Sequence, residues 1–286
     1  LPPLFWAGNF VLARALHTEI TPIALSFWRW AAALLILLPF VHAAVWRQRA
    51  VLLRHAPVLT LFAILGVTHY NTFAYLGLQH TTATNGVLLT SVAPVFIVVL
   101  SFLIFGIRLK AAQAAGILLS LAGVIVIATG GHPQMLASVG WNRGDLWILA
   151  ASLDWALYSV FLRWRPVELE PGVFLAAIIA IGLVPLMVLY AGDLAAGHRF
   201  APNLVHLGAI AYVAVFPSLL AYVFWNRAVI EMGPNRTGQY LHLMPVFGAA
   251  MAVLLLGEQL HLYHLVGAAM IAVGIVLATG LGQHRA

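Results

Sequence analysis

Asp154, Trp155 and Tyr158 form an Asp-Trp-x-x-Tyr sequence about ten residues into an apolar stretch. The i, i+4 spacing puts Asp154 and Tyr158 on one helix face. An ionised side chain at the centre of a membrane helix costs about 2.5 to 3.5 kcal/mol on insertion scales, so it belongs on the bundle interior or a wet cavity. The chemistry open to such a carboxylate is contact with the polar end of a solute or carriage of a proton. The alternative is a carboxylate fixed to a neighbouring polar group.

Other polar and aromatic residues recur inside apolar stretches. Trp6 and Asn9 lie near the start, and His69, Tyr70, Asn71, Tyr75 and His80 follow. Tyr222 and Asn226 are one helical turn apart, and Gln239, Tyr240 and His242 come further on. Together they would line a mostly neutral cavity, which suits an uncharged or zwitterionic amphipathic solute better than a strong anion. For any single aromatic, packing or an interfacial belt is favoured over ligand contact. Arg29, between Trp28 and Trp30, could bind a carboxylate, but the favoured reading is an arginine snorkelling to the interface beside tryptophans. The candidate binding residues are therefore Trp6, Asn9, Asn71, Tyr75, His80, Asp154, Trp155, Tyr158, Tyr222, Gln239 and His242. Pro94 and Pro245, each expected inside a helix where it removes a backbone hydrogen bond, are the candidate hinges.

Several chemistries are set aside. The chain has no His-Glu-x-x-His, no Gly-x-Ser-x-Gly, no Gly-x-Gly-Asp around Asp145 or Asp154, and no phosphate-cradling Walker loop. Of twelve histidines only His261 and His264 approach ligand spacing, and they flank a loop, so no metal or other cofactor is expected. The absence of cysteine excludes disulfides and thiolate chemistry. The chain is not expected to be an enzyme. An intramembrane enzyme on lipid-linked substrates and a non-transporting scaffold or receptor are the readings from other classes.

Elements that position these residues must live in lipid. Of 286 residues 63% are hydrophobic and only 8% charged, with a mean hydropathy of +0.99. Soluble domains carry about a quarter charged residues. Spanning about 30 Å of hydrocarbon takes about 20 apolar residues, and ten such stretches stand out: 2–16, 22–44, 57–78, 84–105, 112–130, 144–164, 171–191, 204–225, 235–256 and 262–281. Runs such as 92–105 do not alternate as barrel strands would, so the spans are helices. The first stretch is short, so a few residues are expected before Leu1. No basic segment precedes it, so no cleavable signal peptide is expected.

The stretches repeat. Residues 73–123 reappear without gaps 151 positions later as 224–274: Phe73/Phe224, Pro94-Val95-Phe96/Pro245-Val246-Phe247, Gly106/Gly257, Leu109/Leu260, Gly116/Gly267 and Gly123/Gly274. A second register, offset by 149, pairs Trp6-Ala7 with Trp155-Ala156, Val11 with Val160, Arg14 with Arg163, Glu19 with Glu168 and Pro22 with Pro171. Asp154 falls opposite Phe5 and Arg29 opposite Ile178, so the ionisable residues break the symmetry. The expected fold is an all-α membrane protein of ten transmembrane helices, built as two five-helix repeats over 1–130 and 131–286. An odd number of helices per repeat inverts the second copy relative to the first. The glycines seven residues apart, Gly116/Gly123 and Gly267/Gly274, lie on one stripe and predict close helix contact.

Charge gives the orientation. With the N-terminus inside, the inner loops and tail hold Arg47, Arg49, Arg54, Arg108, Lys110, Arg163, Arg165, Arg227, Arg236 and Arg285, against Arg14, Arg143 and Arg199 outside. Both termini are expected to be cytoplasmic, in the cytoplasmic (inner) membrane. The net charge of +6 is dispersed over these loops, so no nucleic-acid partner is implied. The expected partners are a small-molecule substrate, the lipid bilayer and, if transport is coupled, protons; no obligatory protein partner is evident.

The stretch from Tyr75-Leu76-Gly77-Leu78-Gln79-His80-Thr81-Thr82-Ala83-Thr84-Asn85-Gly86 to Pro94-Val95-Phe96 resembles the third and fourth helices of EamA-type members of the drug/metabolite transporter superfamily. Gly233-Pro234-Asn235 through Pro245-Val246-Phe247 to Leu256-Gly257-Glu258 resembles the matching stretch of the second half. The resemblance covers essentially the whole chain, and within the family it is to amino-acid exporters, in particular the YddG-type aromatic amino-acid exporters. It implies a ten-helix bundle with a central cavity formed mainly by helices one, three, four, six, eight and nine, and export of small metabolites by alternating access.

Overall fold

Proline opens helix after helix, standing in the first turn where its missing N–H has no intrahelical acceptor to lose. In a computed structural model, which describes residues 1–81, 86, 89–132, 134, 142–199, 201–256, 259 and 261–279, it does so in α1 (Pro2–Ala15), α2 (Pro22–Arg47) and α4 (Ala56–Ala63). It does so again in α6 (Ala93–Phe105), α9 (Pro171–Ala195) and α12 (Pro234–Gln239). Elsewhere side chains cap the ends: Asn142 Oδ1 accepts from the amides of Gly144 and Asp145 at the start of α8 (Arg143–Phe161), at 2.7 and 3.1 Å. Asn203 Oδ1 accepts from His206 N at 2.8 Å at the start of α10 (Leu204–Val213). The remaining helices are α3 (Arg49–Arg54), α5 (Tyr70–His80), α7 (Ala111–Ala128), α11 (Ala221–Met232), α13 (Leu243–Leu256) and α14 (Leu262–Thr279). No strand forms among the described residues.

Seven helical runs are long and apolar enough to cross a membrane: Pro22–Arg47, Ala56–His80, Ala111–Ala128, Arg143–Trp164, Pro171–Ala195, Leu204–Met232 and Leu262–Thr279. The other three expected spans are shorter or interrupted. α1 has 14 residues and α6 has 13, each about 20 Å long at 1.5 Å per residue. The ninth stretch breaks into α12, a 3-10 turn at Tyr240–His242, and α13. Large apolar side chains such as Phe40, Leu103, Val188 and Leu254 stay exposed on the outside of these helices, where lipid replaces water.

Two spans carry the same internal distortion. Between α4 and α5 the helix widens into a π-segment, Ile64–His69, and between α10 and α11 into another, Ala214–Leu220. Their closing bonds run from Tyr70 N to Leu65 O and from Ala221 N to Phe216 O, each five residues back. The segments coincide in the 151-residue register, where Gly66 matches Pro217.

The glycine stripes meet as expected. A Cβ on Gly116 would lie 2.5 Å from Gly274 O, and one on Gly123 would lie 2.7 Å from Gly267 O, so α7 and α14 touch backbone to backbone. The prolines differ from expectation. Pro94 stands in the first turn of α6 after the turn at Ser91–Val92, and Pro245 in the first turn of α13 after Tyr240–His242. The break in each helix precedes the proline, which then stands in a first turn, where its ring is tolerated and no intrahelical hydrogen bond is lost. Thr82–Asn85, Gly257, Glu258, Leu260 and Arg285, used above for the family resemblance, the repeat and the charge count, lie outside the described residues.

Candidate functional site

Trp155 sits at the centre of the bundle, 2% exposed, ringed by other aromatics. Its ring centroid lies 4.9 Å from Trp6, 4.8 Å from Tyr70, 5.2 Å from Tyr158, 5.3 Å from Tyr222 and 5.4 Å from Trp225. Edge-to-face and offset contacts at these distances are attractive beyond the area they bury. The rings come from four helices, α1 and α5 in the first half of the sequence and α8 and α11 in the second. Four of them, Trp6, Trp155, Tyr158 and Tyr222, are candidate binding residues from the sequence.

Polar side chains fasten this cluster through one bond made twice. Tyr75 Oη donates to Asn9 Oδ1 at 2.7 Å, and Tyr158 Oη donates to Asn226 Oδ1 at 2.9 Å. Asn9 and Tyr158 are counterparts in the 149 register, and Tyr75 and Asn226 in the 151 register, so the two halves make the same bond with the residue types exchanged. The π-segment carbonyls are used in parallel. Gly66 O accepts from Tyr222 Oη and from Asn71 Nδ2 at 3.4 Å, whereas Pro217 O accepts from Trp6 Nε1 and Arg29 Nη2, both at 3.0 Å. Three counterpart pairs also touch each other: Trp6 with Trp155, His242 Nε2 with Ser91 O at 3.1 Å, and Ser120 Oγ with Ile271 O at 3.4 Å.

Arg29 departs from the sequence expectation. It is 0% exposed, not snorkelling, and its guanidinium sits where α1, α2, α5 and the second π-segment meet. Nε donates to Ser218 Oγ at 2.5 Å, Nη1 to Tyr75 Oη at 2.9 Å and to Asn9 Oδ1 at 3.3 Å, and Nη2 to Pro217 O. The guanidinium carbon lies 5.2 Å from the ring centroid of Trp30. All these partners are neutral, and among the described residues no carboxylate forms an ion pair with it. The mostly neutral lining expected from the sequence thus contains a full positive charge. Trp28, the outer of the two flanking tryptophans, is the exposed one and donates to Tyr190 Oη at 3.1 Å.

Asp154 points away from Tyr158. Its Oδ2 lies 3.6 Å from His69 Nδ1, beyond hydrogen-bond length, and has no hydrogen-bond partner among the described residues. His69 stacks on Phe73 and lines a cleft of about 420 Å³ with Thr68, Thr72, Pro185, Val188 and Leu189, between α5 and α9. Asn226 borders a second cavity of about 430 Å³, walled by Phe174, Leu175, Val223 and Ile230 and flanked by Arg165 and Arg227.

Gln239 and His242 are fully buried but bond elsewhere: Gln239 Nε2 donates to Asn235 O at 3.2 Å, and His242 reaches Ser91 just before α6. Gln239 Oε1 and His242 Nδ1 have no partner among the described residues. His80 is exposed at the C-terminal end of α5, a turn past Tyr75, and takes no part in the cluster. Among the described residues no group of three metal-ligating side chains comes together.

The sequence profile of the EamA-like transporter family matches residues 1–129 and 142–280. The uncharacterized transporter YyaM of Bacillus subtilis is 26% identical over 97% of this chain and 91% of its own length. The uncharacterized inner membrane transporter YedA of Escherichia coli is 26% identical over 98% and 89%. A probable terminal-alkyne amino-acid exporter of Streptantibioticus cattleyicolor is 28% identical over 81% and 76%. A protein crystal structure superposes with a TM-score of 0.79 over 98% of this chain and 94% of that one, at 21% identity, which speaks for the fold alone.

Proposed function

The chain belongs to the EamA-like transporter family, and from that premise we propose that it is a secondary transporter that exports small metabolites, first among them neutral and aromatic amino acids, by alternating access. The observation that carries the reading is the aromatic cluster around Trp155, held at the meeting of both halves by two reciprocal tyrosine–asparagine bonds. Aromatic faces favour an apolar or aromatic side chain, and the polar residues at its edge favour the charged end of an amino acid. The name of the terminal-alkyne amino-acid exporter, a relative across most of the chain, points to the same solute class.

Alternating access in this reading works through ten spans in two inverted five-helix repeats, with both termini on the cytoplasmic side of the inner membrane. Support comes from the coincident π-segments, from the tyrosine–asparagine bond with its residue types exchanged, and from counterpart residues that touch each other, as residues near a two-fold axis do. Pro94 and Pro245, each following a break, are the places where the halves would bend. The cavity beside Asn226, flanked by Arg165 and by Arg227 paired with Glu231, borders the residue that closes one of the two tyrosine–asparagine bonds.

The test is flux of a mixed amino-acid panel into proteoliposomes holding the purified protein, with and without a proton gradient. Saturable flux of aromatic members is the expected result; no saturable flux for any of the twenty amino acids sinks the substrate class. Export of other metabolites, drugs or nucleobase-like solutes is the second reading, favoured by the same stacked rings.

A further inference from the structure

We infer that Arg29 is the group that receives the carboxylate of the transported solute, so that this site recognises small molecules bearing a carboxylate. The inference rests on the transporter reading and adds the chemical group that is recognised.

The first observation is a charge without a counter-charge. Four neutral oxygens satisfy the N–H groups of Arg29, but a buried ion keeps a desolvation penalty of several kcal/mol unless an opposite charge meets it. The second is that the fold does not need this charge. Tyr158 and Asn226 close the equivalent bond in the other half with Ile178 in the counterpart position of Arg29. A residue that one half of a repeated frame does without serves something other than the frame.

The third observation is a surplus of buried donors close by. The indole N–H groups of Trp30 and Trp155, donors only, have no acceptor among the described residues. Both rings lie edge-on to Tyr222, at 5.1 and 5.3 Å between centroids, and Trp30 is the ring beside the guanidinium. A positive charge with an unpaired indole donor on the adjoining Trp30 matches a carboxylate, whose two oxygens accept several bonds and take the guanidinium in bidentate fashion. An ammonium or a neutral amide would leave the charge unanswered.

The fourth is that the present partners of Arg29 can release it. Ser218 Oγ also donates to Val213 O at 2.7 Å, and Tyr75 Oη donates to Asn9. Each hydroxyl keeps a bond when the guanidinium turns to a ligand. Because Arg29 ties α1, α2 and α5 to the second π-segment, exchanging these partners for a carboxylate also loosens a tie between the two halves.

The experiment compares binding and flux of L-phenylalanine, L-phenylalaninamide and 3-phenylpropanoate, together with a panel of aliphatic carboxylates, in purified wild-type protein and in Arg29→Gln. Wild type should prefer phenylalanine to its amide by about tenfold or more, and 3-phenylpropanoate should compete. In Arg29→Gln the preference should fall to about one, a change in ratio that a merely loosened structure would not produce. An undiminished ratio in the variant, or no binding of any carboxylate by wild type, overturns the inference. Should Arg29→Gln fail to fold, Arg29→Lys carries the test, since it keeps the charge and loses the planar fork. Its ratio should then fall below that of wild type, and an equal or higher ratio overturns the inference. Arg29-dependent binding of 3-phenylpropanoate with no amino acid transported would sink the amino-acid reading and leave the carboxylate site. Amino-acid flux with an unchanged ratio in the variant does the reverse.

Discussion

Gly274→Ala tests whether α7 and α14 form a backbone-to-backbone seam. A methyl group there would stand 2.2 Å from Ser120 Oγ, 2.5 Å from Gly116 O and 2.7 Å from Ser120 N. The hydroxyl can rotate away, but the two backbone atoms cannot, so the helices must part locally by about 1 Å to reach ordinary contact. Overfilling a packed interface costs about 1 to 3 kcal/mol. Alanine also gains about 1 kcal/mol over glycine in a helix interior, which would blur the reading of one variant alone. Gly248→Ala removes that ambiguity, because it lies within α13 with nothing within 4 Å of its added Cβ. Both variants gain the helix term, so the difference between them isolates the seam: Gly274→Ala should be less stable than Gly248→Ala by about 1 to 3 kcal/mol. The assay is reversible unfolding in mixed micelles followed by far-ultraviolet circular dichroism. Equal stability, or a more stable Gly274→Ala, would refute the close packing of α7 on α14.

Three further perturbations bear on the centre of the bundle. Tyr75→Phe removes a hydroxyl bonded to both Arg29 and Asn9, so it should destabilise by about 1.5 to 3 kcal/mol. Tyr158→Phe removes the counterpart bond to Asn226 with no charge attached and should cost about 0.6 to 1.7 kcal/mol; equal costs in the same unfolding assay would deny the guanidinium its special place. If Asp154 carries a proton, Asp154→Asn should abolish the dependence of flux on a pH gradient while exchange continues, measured in proteoliposomes at matched and opposed pH; unchanged dependence removes Asp154 from that role. Thr21 Oγ1 donates to Asp193 Oδ2 at 2.5 Å, tying the start of α2 to the end of α9. In this cysteine-free chain, Thr21→Cys with Asp193→Cys, bridged by a bis-methanethiosulfonate that joins both thiols through disulfides, should stop flux until the bridge is reduced. Flux that persists through the bridge shows that this end need not open.

Much of this was legible in the sequence, because the repeat displays itself in residue types. Trp6 and Trp155, or Gly116 and Gly267, keep their identity at fixed offsets, and the lipid-facing helices announce themselves by composition. The π-segments were not legible: one widened turn leaves no period in hydropathy, and Gly66 and Pro217, though counterparts, share no residue type. Arg29 was misread for a related reason. Two flanking tryptophans suggest the interface, yet only Trp28 faces outward, while Arg29, eight residues into α2, lies about 10 Å along the helix at 1.5 Å per residue. Whether such an arginine turns out or in depends on Asn9, Tyr75 and Ser218, which the chain brings to it from three other segments. Tyr158 was placed with Asp154 by its spacing, and tertiary context instead gave it Asn226, because side chains one turn apart can still diverge toward different neighbours.

The roles proposed for the site fall on residues that break the repeat. In a frame that makes the tyrosine–asparagine bond twice, three ionisable residues stand opposite apolar ones: Arg29 opposite Ile178, Asp154 opposite Phe5, and His69 opposite Leu220. They do not share one place. Arg29 lies in the polar knot beside the aromatic cluster, whereas Asp154 and His69 face each other where α8 meets α5, beside the cleft against α9. A fixed cation cannot carry a proton at working pH, since an arginine stays charged, and a carboxylate cannot hold a carboxylate solute without repulsion. Under the proposed reading, carboxylate recognition at Arg29 and any proton coupling at Asp154 fall to different residues, and their variants should separate. Arg29→Gln should change which solutes bind and leave the response to a pH gradient, and Asp154→Asn should do the opposite. A selectivity change in Asp154→Asn, or a lost gradient response in Arg29→Gln, would show that the two sites act as one.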